Sequence, residues 1–68
     1  MGKMKELREQ AGMSQSQLSR ESGINVRMIQ HYEQGVKDLN KAQGITLYHL
    51  ARALGCQMED LLDIDLDS

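Results

Sequence analysis

The sequence predicts a small all-α domain, and three observations support this prediction. Its 68 residues are enough for one domain that can fold alone. It has no Pro and only two aromatic residues, both Tyr, so Leu, Ile, Met and Ala carry its apolar periodicity. That periodicity is helical, and residues that favour helix caps separate the periodic segments. We expect five helices in one compact domain over residues 1–62, followed by an acidic tail, 63–68.

The first helix is predicted over about residues 3–10. Met4 and Leu7 recur at helical spacing, and Gly12 follows where a helix would stop.

The second and third helices, about 15–21 and 26–34, flank a tight turn at Gly23. A chain that leaves one helix and enters another within a few residues favours Gly, which adopts a left-handed backbone without steric cost. Residues that favour helix ends stand at the other expected boundaries: Ser14, Asn25 and Gly35.

The remaining segment predicts a single turn and two further helices. Asp38 is expected to cap the turn, and Gly44 to end it. Thr46 is expected to cap the fourth helix, which Gly55 closes. A short fifth helix is predicted from 58 to about 62, with acids in its first turn where the helix dipole favours them.

Charge is distributed unevenly along the chain. The net charge is −2, but the last ten residues hold five acids and no base, which leaves five acids against eight bases over residues 1–58. Residues 1–58 are therefore mildly basic, which is only a modest indication of nucleic-acid binding. Because carboxylates repel phosphates, we expect the acidic tail to avoid DNA and either to be mobile or to pair with another protein chain.

Several classes of function find no support in the sequence. Cys56 is alone, and its spacing from His31 and His49 does not suit a metal, so we expect no disulfide, metal or other cofactor. No apolar stretch approaches the ~18 residues of a membrane span, and no signal-peptide pattern opens the chain. We expect a cytoplasmic protein without membrane contact. No arrangement of catalytic groups suggests an enzyme.

The third predicted helix has two contrasting faces at about 100° per residue. Ile29 and Tyr32 lie on the inward face, with Glu33 at its margin. The outward face carries donors and acceptors but no carboxylate: Arg27, His31 and Gln34, flanked by Gln30 and Met28. Such a face is suited to reading base edges.

Each of these features also has a purely structural interpretation. Helix-turn-helix spacing occurs in plain helical bundles, and a single histidine such as His31 is often only a solvated helix residue. Lys37 and Lys41 have an alternative interpretation as ordinary loop charges, although phosphate contact is favoured for Lys37.

The sequence nevertheless combines several features of one family. The segments GMSQSQLSRESGINVRMIQHYEQG and ITLYHLARALGCQMEDLL resemble the helix-turn-helix family of phage lambda repressor and Cro, the xenobiotic-response-element type of bacterial regulator. The resemblance covers about residues 4–62. It implies a five-helix domain whose third helix enters the major groove of double-stranded DNA.

The resemblance also assigns roles to individual residues. Val26, Arg27 and His31 match base-reading positions, and we add Gln30, which flanks the same face. Gln15, Asn25 and Gln34 match positions that contact phosphates or orient the readers, and we add the loop residues Lys37, Asn40 and Lys41. Arg8 and Glu33 match an ion pair between helices 1 and 3. Two positions depart from the family: Ser19 replaces the usual Ala, and Val26 replaces a commonly polar reader.

Two functions from different classes follow. The first is a sequence-specific repressor, of the kind found in prophages, that occupies promoter DNA as a homodimer through a surface near helix 5 and the tail. The alternative is a protein-interaction module, such as the antitoxin of a toxin–antitoxin pair, whose acidic tail binds a basic toxin.

Overall fold

In the computed structural model, which describes residues 3–62, the chain forms four α-helices and two 3₁₀ turns. The helices are α1 (Lys3–Gln10), α2 (Gln15–Ser22), α3 (Val26–Gln34) and α4 (Gly44–Leu54), and the 3₁₀ turns are Leu39–Lys41 and Met58–Asp60. The all-α class is as predicted. The acidic tail, 63–68, lies outside the described residues.

One apolar core holds the described elements together. Leu18 of α2, Ile29 of α3 and Leu50 of α4 are fully buried at its centre. Helix α2 packs against both α3 and α4, and α1 packs against α3. Complete burial of such an aliphatic side chain contributes about 1.5–3 kcal/mol. The core therefore holds α2 and α3 in a fixed relation to each other. The other buried apolar residues are Met4, Leu47, Ala51 and Leu61.

The turn between α2 and α3 depends on Gly23 and on two serine hydroxyls. Gly23 has φ of +76°, in the left-handed region, as predicted. The Ser19 hydroxyl donates to the carbonyl oxygen of Ile24 at 2.6 Å, and the Ser22 hydroxyl accepts from the backbone N–H of Ile24 at 3.1 Å. The backbone N–H and the carbonyl of Ile24 thus both form hydrogen bonds with side chains of α2. Ser19 therefore contributes a hydrogen bond that the usual Ala could not make.

The predicted caps of the central helices are present. The Ser14 hydroxyl accepts the backbone N–H of Gln17 at 3.0 Å, and the Asn25 amide oxygen accepts that of Arg27 at 2.7 Å. Asp38 caps the first 3₁₀ turn in the same way. These bonds satisfy backbone donors that have no partner inside the helix.

The predicted start of α4 is wrong by three residues, since the capping residue is Gln43 and not Thr46. The helix begins at Gly44, so Thr46 is an internal residue of its first turn and does not cap it. Ala42 and Gln43 both have extended backbone, and the Gln43 carbonyl accepts the first helical bond, from Leu47, at 3.1 Å. Because the extended residues already end the 3₁₀ turn, Gly44 is not needed as a stop and can begin α4.

The predicted fifth α-helix is a 3₁₀ turn, Met58–Asp60. Its backbone bonds, including those from Leu61 to Met58 and from Leu62 to Glu59, all span three residues and not four. The Asp60 carboxylate also accepts the backbone N–H of Gln57 at 3.0 Å, which closes the segment at its start. This tight turn brings Leu61 into the core, where only 3% of it is exposed.

Candidate nucleic-acid interface

The outward face of α3 is polar and carries no carboxylate. Arg27 and Gln34 are exposed, and Gln30, His31 and Val26 are half-buried. Glu33, the one acid of α3, is turned away from this face, since 4% of its side chain is exposed. The face therefore offers hydrogen-bond donors and acceptors without an anionic group that would repel a polyanion.

Arg8 of α1 and Glu33 of α3 form the ion pair that the sequence predicted. Arg8 Nε donates to Glu33 Oε2 at 2.8 Å, and Arg8 Nη2 donates to Glu33 Oε1 at 3.1 Å. A third guanidinium nitrogen, Nη1, donates to the Met13 carbonyl at 2.8 Å. The two side chains are only 11% and 4% exposed, so the bidentate pair is largely removed from solvent.

The surroundings of Arg8 keep its guanidinium charged. The hydrogen bond to Glu33 raises the pKa of Arg8, burial opposes this, and the negative charges of Glu33 and Glu9 add to the increase. A raised pKa in the folded state contributes stability below the unfolded pKa, and this stability is lost only as the pH rises through the folded pKa. Arg8 therefore stays protonated throughout the neutral pH range, so its own titration does not break the ion pair there.

Two glutamines extend this ion pair towards the outward face of α3. Gln15 Nε2 donates to Glu33 Oε1 at 3.0 Å, and Gln30 Nε2 donates to Gln15 Oε1 at 3.4 Å. From the sequence, Gln15 is predicted to contact the phosphate backbone or to orient the readers, and Gln30 to read a base, as two separate contacts to DNA. The structure connects both of them to Glu33 through side-chain hydrogen bonds.

The loop after α3 is anchored to the last turn of that helix. The backbone N–H groups of Val36 and Lys37 both donate to the carbonyl of His31, at 2.9 and 3.2 Å. The Lys37 side chain is exposed, as are Asn40 and Lys41 in the following 3₁₀ turn. The candidate phosphate contacts of this loop thus lie on the surface and follow directly from α3.

Metal-binding and membrane-spanning features are absent from the part of the chain that the structure describes. In residues 3–62, no group of three or more His, Cys, Asp and Glu side chains could hold a metal ion. None of the helices there is both long and apolar enough to cross a membrane. The thiol of Cys56 is half-buried, and burial, followed by the charge of Asp60, raises its pKa. Its thiolate is thereby disfavoured.

A comparison with protein families decides how this arrangement is classified. Residues 4–61 match a family model described as Helix-turn-helix. The chain belongs to the helix-turn-helix family. The match includes every α-helix except the first residue of α1 and extends past the second 3₁₀ turn. Searches of curated proteins and of solved structures found no significant match.

The helix-turn-helix protein is a DNA-binding regulator of the lambda repressor and Cro type. Its two motif helices are α2 and α3, joined at Gly23. In this motif the second helix lies in the major groove, with its first residues directed at base edges. The outward face of α3 is therefore the candidate nucleic-acid interface.

Proposed function

We propose that this helix-turn-helix protein is a sequence-specific repressor that inserts α3 into the major groove. The proposal rests on the different positions of the acidic and basic side chains of α3. Its one carboxylate, that of Glu33, is held in a buried ion pair, while the outward face keeps Arg27 exposed. A face of this composition matches the donor and acceptor pattern of base edges.

The proposed contacts divide into base readers and backbone contacts. Arg27 reads a guanine, Val26 packs against a thymine methyl group, and His31 contacts a neighbouring base or phosphate. Gln30 completes the reading face. The residues proposed to hold or orient the phosphate backbone are Gln15, Asn25, Gln34, Lys37, Asn40 and Lys41. The amide oxygen of Asn25 caps α3, so its contribution is mainly to fix the start of that helix.

Repression follows if the bound protein covers promoter DNA as a homodimer. Helices α2 and α3 must stay free for the groove, so we propose a dimer surface near the second 3₁₀ turn and the tail. Two α3 helices would then meet successive major grooves about 34–36 Å apart. Sedimentation tests this: a protein that stays monomeric while saturating its DNA site would refute the dimer.

A binding selection from random oligonucleotides tests the proposed function as a whole. We expect the protein to enrich one motif, with two related half-sites if it binds as a dimer. Nuclease protection of the promoter upstream of its own gene would then test autoregulation. A protein that binds all sequences equally, or none, would contradict the proposal.

Replacing Lys37 with Ala is expected to weaken binding to every DNA sequence alike. Lys37 is exposed next to the last turn of α3, where its charge can neutralise one phosphate. The slope of log affinity against log salt should flatten by about one unit, and the base preference should remain. Lys5→Ala, an exposed lysine of α1, is the control and should leave the slope unchanged. A change of base preference in Lys37→Ala would identify Lys37 as a base reader.

The acidic C-terminal sequence supports a second proposed function. Five acids and no base lie in the last ten residues, as would suit a basic protein partner such as a toxin. An antitoxin can also bind DNA, so the two functions are compatible. A toxin gene beside this gene, whose product binds the purified protein, would support the antitoxin role; loss of that binding after truncation at Leu62 would assign it to the tail.

A further inference from the structure

An open groove lies between α1, the end of α3 and the first 3₁₀ turn. Its volume is about 830 Å³, and Met4, Tyr32, Leu39 and Leu61 supply its apolar lining. Grooves that bind ligands in proteins typically have volumes of about 300–1,000 Å³. We call this feature the α1–α3 groove, and its size suits a short peptide segment with a few apolar side chains.

The α1–α3 groove also has charged side chains in its lining. Two of them are exposed lysines, Lys3 of α1 and Lys37 of the loop after α3. Among its acids, Glu33 is buried in the ion pair, Asp38 caps the first 3₁₀ turn, and Glu6 is exposed on α1. The groove therefore combines an apolar lining with lysines from two separate elements. A segment that carries both aliphatic side chains and carboxylates complements such a surface.

The chain leaves the described residues at the edge of this groove. Leu61 lines the groove, and the carbonyl of Leu62 accepts a hydrogen bond from Lys3 Nζ at 3.1 Å. The acidic tail, 63–68, follows directly and is six residues long. Six residues of extended chain span at most about 20 Å. Because Leu61 and Lys37 line the same groove, a tail of this length can follow it from one to the other.

The acidic tail alternates acids with aliphatic residues. Its sequence is DIDLDS. In extended backbone, successive side chains point to opposite sides, so Ile64 and Leu66 would share one side and the aspartates the other. The two aliphatic side chains can then be buried against the apolar lining of the groove, while the carboxylates stay at its rim beside the lysines.

We propose that the acidic tail occupies the α1–α3 groove of its own chain and competes with DNA phosphate for Lys37. A short tether gives the tail an effective concentration in about the millimolar range, so weak contacts are enough to populate the docked state. A tail carboxylate paired with Lys37 must leave before a phosphate takes its place. This inference rests on the proposed function, in which Lys37 contacts phosphate. It makes the tail an autoinhibitory segment.

The first test separates a docked tail from one that only repels DNA. Ile64→Ser combined with Leu66→Ser keeps every charge of the tail but removes its apolar contacts. The tail should then leave the groove, and DNA affinity should rise about 2- to 5-fold, the range for one exposed ion pair. A tail that never docks would repel DNA equally with either sequence. Unchanged affinity in this variant would therefore overturn the proposal.

A second test neutralises the tail and asks whether its effect acts at Lys37. The tail variant replaces its three acids: Asp63→Asn, Asp65→Asn and Asp67→Asn. The control makes the same change in net charge at three exposed acids outside the groove: Glu9→Gln, Glu21→Gln and Glu59→Gln. The tail variant should gain more DNA affinity than the control. Combined with Lys37→Ala, its gain should fall to that of the control, because both changes act on one contact. Equal gains in the two variants, or a full gain without Lys37, would contradict competition at this lysine.

A measurement without DNA distinguishes failure of docking from failure of the proposed function. In the free protein, Ile64→Ser with Leu66→Ser should shift the NMR resonances of Tyr32 and Leu39, which line the groove, but not those of Tyr48 on α4. These shifts should be independent of protein concentration. Shifts seen only at high concentration would place the tail of a second copy in the groove and refute docking within one chain.

The two possible failures give different results. If the groove resonances do not respond to the tail substitutions, docking is refuted whatever DNA the protein binds. If they respond but wild-type protein selects no DNA sequence, the proposed function is refuted, and the competition with phosphate falls with it.

Discussion

Replacing Glu33 with Ala is expected to lower the free energy of unfolding by about 3–5 kcal/mol. The substitution leaves Arg8, whose side chain is 11% exposed, without its carboxylate partner. Gln15 loses its acceptor at the same time. Small domains often have a total stability of only about 5–15 kcal/mol, so a large part of the protein should unfold at moderate temperature. Urea denaturation followed by circular dichroism measures the change.

Three further variants show whether an unpaired buried charge causes the loss. Glu6→Ala removes an exposed acid of α1 and should change stability by less than about 0.5 kcal/mol. Arg8→Met should be costly, because it leaves the Glu33 carboxylate buried without its guanidinium. The double variant Arg8→Met with Glu33→Met should recover much of the loss, because apolar replacement of a buried pair is often close to neutral. A cost below about 1 kcal/mol for Glu33→Ala would show that the pair is not important for stability.

The central helices could be predicted from sequence because their boundaries are specified locally. Ser14 and Gly23 mark the two ends of α2, and each acts within a few residues of its own position. Asn25 and Gly35 do the same for α3. Caps and left-handed glycines depend on backbone geometry over about one turn, so a short stretch of sequence contains the necessary information.

The segments on either side of α4 were harder to predict because several local signals compete. Thr46 is a good capping residue, yet the extended backbone at Gln43 begins the helix earlier. Few residues separate Gly55 from Leu61, which must enter the core. This short connection favours a tight 3₁₀ turn over a full α-helix. That requirement is set by the packing of distant elements, which local propensity does not report.

The ion pair beside the candidate site was predictable from sequence, because it involves a charged residue at a position that is expected to be buried. Glu33 stands at the margin of an apolar face, and a buried carboxylate requires a partner, which Arg8 supplies. The contact between Gln15 and Gln30 has no such signal, because both residues are equally suited to solvent. Their contact depends on how α2 crosses α3, and only the three-dimensional structure supplies that information.

Replacing Arg27 with Ala is expected to relax base preference at one position of the DNA site. Arg27 is exposed in the first turn of α3, the end that is directed at base edges in this motif. Its planar guanidinium can donate to O6 and N7 of guanine together, and loss of such a contact reduces discrimination by about 1–3 kcal/mol. Binding to a series of single-base operator variants at two salt concentrations measures the effect.

Control variants separate the effect of the planar shape of the Arg27 side chain from the effect of its positive charge. Arg27→Lys keeps the positive charge but loses the planar fork, so it should retain most of the nonspecific affinity and lose much of the guanine preference. Arg20→Ala removes an exposed arginine from the last turn of α2 and should leave base preference unchanged. If Arg27→Ala instead weakens every sequence equally and the preference remains, Arg27 contacts phosphate. The reading face would then have to lie elsewhere on α3, because its first turn would be directed at the DNA backbone.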